Sequence, residues 1–345
     1  MERRELLKGL AAITVMANSV VGAGRRSARG VRTIKPKRLA KGDTVALIAP
    51  SSSIEAKGFE FALQNLAALG LKVRAGKYVR SRNGFLAGTD KERLEDLHWA
   101  FGDKEVDAIW CVRGGYGATR FLPDIDFKLI KANSKIFVGY SDITALHLAI
   151  YQNTGLVTFH GPTAAANHSP YSRDHLFNML MNPTANYKIE LSADNVANTS
   201  NLFKTETIVK GKCRGELIGG NLSLLSAMAG TGSALRNLKG KILFMEDVRE
   251  QPYRIDRMLT QLKQSVDLRE CAGIALGIFE GCNPTDPASQ SLIDVLKDRL
   301  GNLGIPVIYG LSFGHIRDQF TLPMGIKAEL DTESATVTFL ETAVI

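Results

Sequence analysis

Long apolar runs are missing from this chain of 345 residues. The weakly apolar stretch near its start, Gly9 to Ala17, falls well short of the roughly 20 residues that a membrane-spanning helix needs. Stable membrane insertion is therefore not expected. Cysteine is scarce: Cys111, Cys213, Cys271 and Cys282 are the only four, and none forms the short paired spacing of a zinc site. Buried free thiols are the simplest expectation for them, with a Cys271–Cys282 bridge left open. No His-Glu-x-x-His run is present, so no metal is expected. A basic excess is also missing from most of the chain, although the net charge is +8. Residues 1–41 hold eleven Lys and Arg against two acidic residues, which leaves 32 basic and 33 acidic residues beyond them. A near-neutral body removes the electrostatic case for a nucleic-acid partner. No repeat of solenoid length is visible. What is there is ordinary globular usage, 45% hydrophobic and 23% charged, in a chain long enough for two medium domains.

The basic excess belongs to a leader. Arg3-Arg4, then Leu6-Leu7-Lys8, then the modest apolar run resembles a twin-arginine export signal. Val21-Gly22-Ala23 supplies small or compact residues for cleavage after Ala23. Residues 1–23 are accordingly expected to be a signal peptide and 24–41 a basic linker, with a periplasmic destination.

Beyond the leader, strands alternate with helices, the rhythm of an α/β parallel sheet. Segments at 44–49, 72–79, 106–112, 135–138 and 156–159 read as strands, most of them apolar. Helical spacing appears through Phe59, Leu63, Leu66 and Leu69, and again through Leu94, Leu97 and Phe101. The rhythm is lost over 166–207, rich in Asn, Ser and Thr, which suggests an interdomain connection with one small helix near 175–181. It returns with strands at 212–217, 241–245, 273–279 and 306–308, helices near 221–230, 253–265 and 288–301, and a hairpin over 330–339. Domains at 42–165 and 208–345 follow.

Three strand ends could carry chemistry. Gly139-Tyr140-Ser141-Asp142 lies between a strand and a helix; there Ser141 is either a helix cap or a nucleophile raised above the sheet. Arg113-Gly114-Gly115-Tyr116-Gly117 also follows a strand. It lacks the Lys-Ser/Thr of a nucleotide loop, leaving a tight turn or a backbone donor site, with the N–H groups of Gly115 and Asp142 forming an oxyanion hole. In the second half, Glu246-Asp247 ends one strand and Gly314-His315 follows another. The order Ser141, Glu246, His315 offers a nucleophile, an orienting carboxylate and a base. Asp247 is the rival carboxylate.

These stretches, with Ala49-Pro50-Ser51, His160-Gly161-Pro162, Ile218 to Leu222 and Pro252 to Arg257, resemble the LD-carboxypeptidase family of serine peptidases. That group contains muramoyl-tetrapeptide carboxypeptidase and the microcin-immunity hydrolases. The resemblance spans roughly residues 40–330. It implies an N-terminal glutamine-amidotransferase-like α/β domain, a C-terminal swivelling β/α domain and an active site between them. Carried over, Ser141 is the nucleophile, His315 the base and Glu246 the orienting carboxylate, with Asp142 and Gly115 supplying oxyanion donors. The implied reaction cleaves the amide between an L-centre and a terminal D-residue, releasing D-Ala from murein tetrapeptide without a cofactor. A related serine hydrolase acting on an acyl-amide antibiotic or another peptide amide, or a non-catalytic wall-peptide binding role, are the alternatives. Arg113 and Arg254 are candidates for the substrate carboxylate, or else make surface ion pairs. A homodimer is implied by the resemblance.

Overall fold

The structure, a computed structural model, describes residues 32–345. The expected signal peptide, residues 1–23, and residues 24–31 of the expected basic linker lie outside the described residues. Residues 33–41 run along the body: Ile34 bridges Leu156, and Leu39 is buried with its N–H donating to the Leu180 carbonyl at 2.9 Å. Among the described residues, no helix is long and apolar enough to cross a membrane.

Two sheets organise the body. The first is built from β1 (Thr44–Ile48), β2 (Lys72–Ala75), β3 (Ala108–Cys111), β4 (Ile136–Gly139) and β5 (Phe159–His160), in the parallel order β5-β4-β3-β1-β2. β3 and β4 are buried at every position, as expected of parallel strands covered on both faces. Helices Ala56–Ala68 and Asp90–Gly102 follow β1 and β2. The second helix starts cleanly because Thr89 and Glu92 cap it reciprocally. It buries Arg93 and Asp96 beside Leu97 and Phe101, two charges that the apolar spacing did not reveal.

Residues 166–207 are more ordered than their composition suggests. They hold the helix Pro170–Leu180, the three-residue strand β6 (Tyr187–Ile189) and a helical turn at Ala193–Val196. Ser169 and Ser192 cap the two helical pieces, so the polar residues that hid the rhythm are those that start its elements.

The second sheet adds β7 (Glu206–Val209), β8 (Lys212–Asn221), β9 (Lys241–Glu246), β10 (Gly273–Gly277) and β11 (Val307–Leu311). After β12 (Leu322–Pro323) it closes with the hairpin of β13 (Lys327–Asp331) and β14 (Thr336–Phe339). Its order is β6-β14-β13-β8-β9-β10-β11-β7, with a parallel centre from β8 to β11 and antiparallel edges. β12 crosses to pair antiparallel with β5 in the first sheet. The chain is thus a two-sheet α/β fold whose halves are stitched together: the Asn221 N–H also donates to Thr144 Oγ1 at 2.9 Å. All four cysteines are free, and Cys111, Cys271 and Cys282 are buried.

Candidate active site

β4 delivers Ser141 in a conformation that a side chain rarely adopts. Tyr140 is extended, and Ser141 then takes φ +66° before a single helical turn leads into the helix Thr144–Thr154. Left-handed backbone at a non-glycine residue costs on the order of 1 kcal/mol and persists only where the surroundings impose it. Ser141 caps neither helical segment: Tyr140 and Ile143 occupy the cap positions. Gly114 presses on the turn, since a Cβ there would lie 2.8 Å from Ser141 Cβ.

β9 ends on Glu246, fully buried. His315 follows β11 through Gly314 at φ +121°. A Cβ at position 314 would stand 3.2 Å from Glu246 Cβ and 2.8 Å from the Ile278 carbonyl, so glycine lets the loop close on the carboxylate. His315 Nδ1 is 2.7 Å from Glu246 Oε2, and its Nε2 is 2.9 Å from Ser141 Oγ. A carboxylate only accepts, so Nδ1 carries the imidazole proton and Nε2 is left to accept from the serine hydroxyl. Burial pushes the His315 imidazole down, but the Glu246 charge and hydrogen bond, with Asp247 and Glu280 adding, carry it above its ordinary value. Burial likewise raises Glu246, and the imidazole's charge and hydrogen bond outweigh that and hold it below the usual carboxylate value. This pairing favours an ionised acceptor beside a basic imidazole.

Asp247 points elsewhere. It accepts from the Ser223 N–H and hydroxyl, each at 2.8 Å, from the Val248 N–H at 2.9 Å and from Asn221 Nδ2 at 3.2 Å. Burial, with Glu246 adding, pushes its carboxyl up to about 6.

The glycine loop lies against the serine turn. Gly115 has φ +114°, and the loop is held by Ser52 N–H to Gly114 carbonyl at 3.3 Å and Tyr116 N–H to Ser52 Oγ at 3.1 Å. The Asp142 carboxylate, buried, accepts from the Ser51 hydroxyl and from the Ala118 N–H at 2.8 Å. It therefore ties the serine turn to both neighbouring loops, a role that the sequence did not disclose. Arg93 adds a second brace, donating to the carbonyls of Pro50 and Gly117. Arg113 is exposed, donates to the Ser53 carbonyl at 3.1 Å and makes no ion pair among the described residues. Arg254 is half-exposed and pairs with Glu250 at 3.5 Å. The structure brings Ser141, His315 and Glu246 together and sets Asp142 and Gly115 beside them; it draws neither arginine into direct contact with these three side chains.

A hydroxyl, an imidazole and a carboxylate in series where the ends of β4, β9 and β11 meet are the equipment of a serine-type hydrolase. The chain belongs to the LD-carboxypeptidase family: residues 45–161 match the LD-carboxypeptidase N-terminal domain and residues 214–330 the C-terminal domain. It is 45% identical to the probable murein peptide carboxypeptidase of Bacillus subtilis, over 88% of this chain and 93% of that one. With the murein tetrapeptide carboxypeptidase of Pseudomonas aeruginosa it shares 36% identity, over 83% and 92%. The solved structure of MccF in complex with glutamyl sulfamoyl guanosine superposes with a TM-score of 0.82 at 26% identity, covering 90% of this chain and 99% of that one. The protein is a serine-type peptidase, and its relatives support carboxypeptidase activity.

Proposed function

We propose that this protein hydrolyses the amide between an L-centre and a terminal D-amino acid, releasing D-Ala from murein tetrapeptide through a Ser141–His315–Glu246 triad. The series of contacts at 2.9 Å and 2.7 Å carries the proposal, and relatives named murein peptide and murein tetrapeptide carboxypeptidase supply the substrate class. Ser141 Oγ attacks the scissile carbonyl while its proton passes to His315 Nε2. The imidazolium so formed stays oriented by Glu246 Oε2 and returns the proton to the departing amino group of D-Ala. Water, deprotonated by the same imidazole, then releases the acyl group from Ser141. The N–H groups of Asp142 and Gly115 serve the developing oxyanion, which the brace from Asp142 to Ala118 keeps close to the nucleophile. Arg113, exposed and without an ion pair among the described residues, is the better placed of the two arginines for the terminal carboxylate.

A second substrate class has its own support in the likeness to MccF, solved with an aminoacyl sulfamoyl nucleoside. Three substrates separate the two: murein tetrapeptide, its counterpart ending in L-Ala, and an aminoacyl sulfamoyl adenosine. Cleavage of the first alone supports the proposal, cleavage of the third alone overturns it, and binding of the first without turnover leaves a wall-peptide binding protein. Export through the Arg3-Arg4 leader belongs to the same proposal. A fluorescent reporter fused after residue 41 should reach the periplasm and stay in the cytoplasm when both arginines become lysine. The homodimer is tested by sedimentation of the purified protein, which should give twice the chain mass.

A further inference from the structure

His160 ends β5 in the core, 1% exposed, and neither of its ring nitrogens has a hydrogen-bond partner among the described residues. Burying an imidazole with both nitrogens unanswered is costly, and such groups usually have a charged neighbour or a function. The neighbour is present. His160 Nε2 lies 3.9 Å from Glu246 Oε1, and that oxygen is itself buried and unpartnered, its twin Oε2 being engaged by His315. Two unanswered polar atoms of opposite character thus face each other on the side of the carboxylate remote from the base.

We propose that His160 is a positioning residue for the hydrolysis, its Nε2–H directed at Glu246 Oε1 so that the carboxylate stays ionised and keeps Oε2 on the His315 imidazole. At 3.9 Å this is a dipole held toward a charge rather than a formed hydrogen bond, and it is effective because neither partner meets water. Among the groups around the ring, Glu246 is the anion that acts on it. His147, on the helix Thr144–Thr154, sits with its ring 6.2 Å away and has its Nε2 on the Gly139 carbonyl. Tyr140 and Phe244 stand edge-on at 6.1 and 5.5 Å, and His315 approaches from the loop after β11. Burial lowers His160 to about 4, with His315 adding and Glu246 opposing, so the ring is neutral at neutral pH and acts through a single N–H. The sign of its effect follows. The N–H stabilises Glu246 more when His315 is neutral than when the imidazolium already answers the charge, so it holds the basicity of His315 down. Without it, His315 protonates at higher pH and less of the protein has a free base.

The role rests on the Ser141–His315–Glu246 mechanism proposed above, so the test reads the nucleophile without the murein substrate. The rate at which a fluorophosphonate labels Ser141 is measured from pH 5 to 9 for the full chain, S141A, H160F and H160Q, beside kcat and KM on tetrapeptide. Labelling of wild type with none in S141A secures the triad; an unlabelled wild type removes the mechanism and this inference with it. H160F should label about tenfold more slowly or worse, with its acid limb moved to higher pH, and should lose kcat while KM stays within about twofold. H160Q, whose amide N–H2 replaces the Nε2 donor, should recover the wild-type limb and most of the rate. A wild-type profile in H160F, or equal impairment of H160Q and H160F, would reduce His160 to core packing.

Discussion

Replacing Glu246 by Gln removes one charge and almost no volume from a site that is fully buried. In the ground state the carboxylate accepts the Nδ1–H of His315 at 2.7 Å. When Ser141 attacks, the imidazole becomes a cation, and the lost interaction is between unit charges about 4 Å apart, worth about 4 kcal/mol at an effective dielectric near 20. At about 1.4 kcal/mol per factor of ten, that is a fall of about 10³ in kcat. The amide can also turn its N–H2 toward Nδ1 and select the tautomer whose Nε2 carries the proton, which extends the expected loss toward about 10⁴. KM should change little, because Glu246 lies behind the base rather than against the substrate. Steady-state release of alanine from tetrapeptide gives both constants, and circular dichroism shows whether the fold survives. D247N is the matched control: Asp247 is equally buried but spends its oxygens on Ser223, Asn221 and Val248, so kcat should stay within about tenfold. An E246Q protein within tenfold of wild type, or a D247N protein as impaired as E246Q, would refute the assignment of the orienting carboxylate.

Three further outcomes are expected. S141G should lose activity yet gain about 1 kcal/mol of stability, or about 1–2 °C in Tm for a chain of this length, because glycine takes φ +66° without strain; an unchanged or lower Tm in calorimetry would speak against a strained turn. The acid limb of kcat/KM should fall above the ordinary imidazole value, since activity needs neutral His315 and the Glu246 charge raises that group; a limb near or below pH 6 contradicts it. Asp96, buried and raised to about 6, is more costly to ionise in the folded than in the unfolded chain. Its contribution to stability is therefore full below pH 4 and is lost as the pH rises to about 6, by up to about 3 kcal/mol. Denaturant unfolding of D96N should lack that fall, and a D96N curve parallel to wild type would remove Asp96 as its source.

The triad candidates were legible because each follows a local signal. Ser141, Glu246 and His315 all stand where an apolar strand meets a polar or glycine-bearing turn, and β4, β9 and β11 fall within a residue or a few of the runs that suggested them. Their convergence was not legible. Ser141 and His315 are 174 positions apart, and no period or spacing encodes a contact over that distance. What was missed has the same origin. β12 is two residues long, too short to carry an alternation, and joins the opposite sheet. Arg93 and Asp96 sit on a helix whose apolar stripe reads normally, and only packing shows that they are inside. The motif around Asp142 points to its N–H, whereas its carboxylate ties the serine turn to Ser51 and Ala118. His160 stands in a short sequence motif, and only the fold shows the carboxylate oxygen beside it.

The central claim is that Ser141 cleaves a terminal D-Ala from murein tetrapeptide, and mass spectrometry of that peptide incubated with the purified protein and with S141A tests it most directly. Loss of one alanine residue with wild type and none with S141A is the predicted result. An intact peptide with both proteins, or the same loss with both, would contradict it.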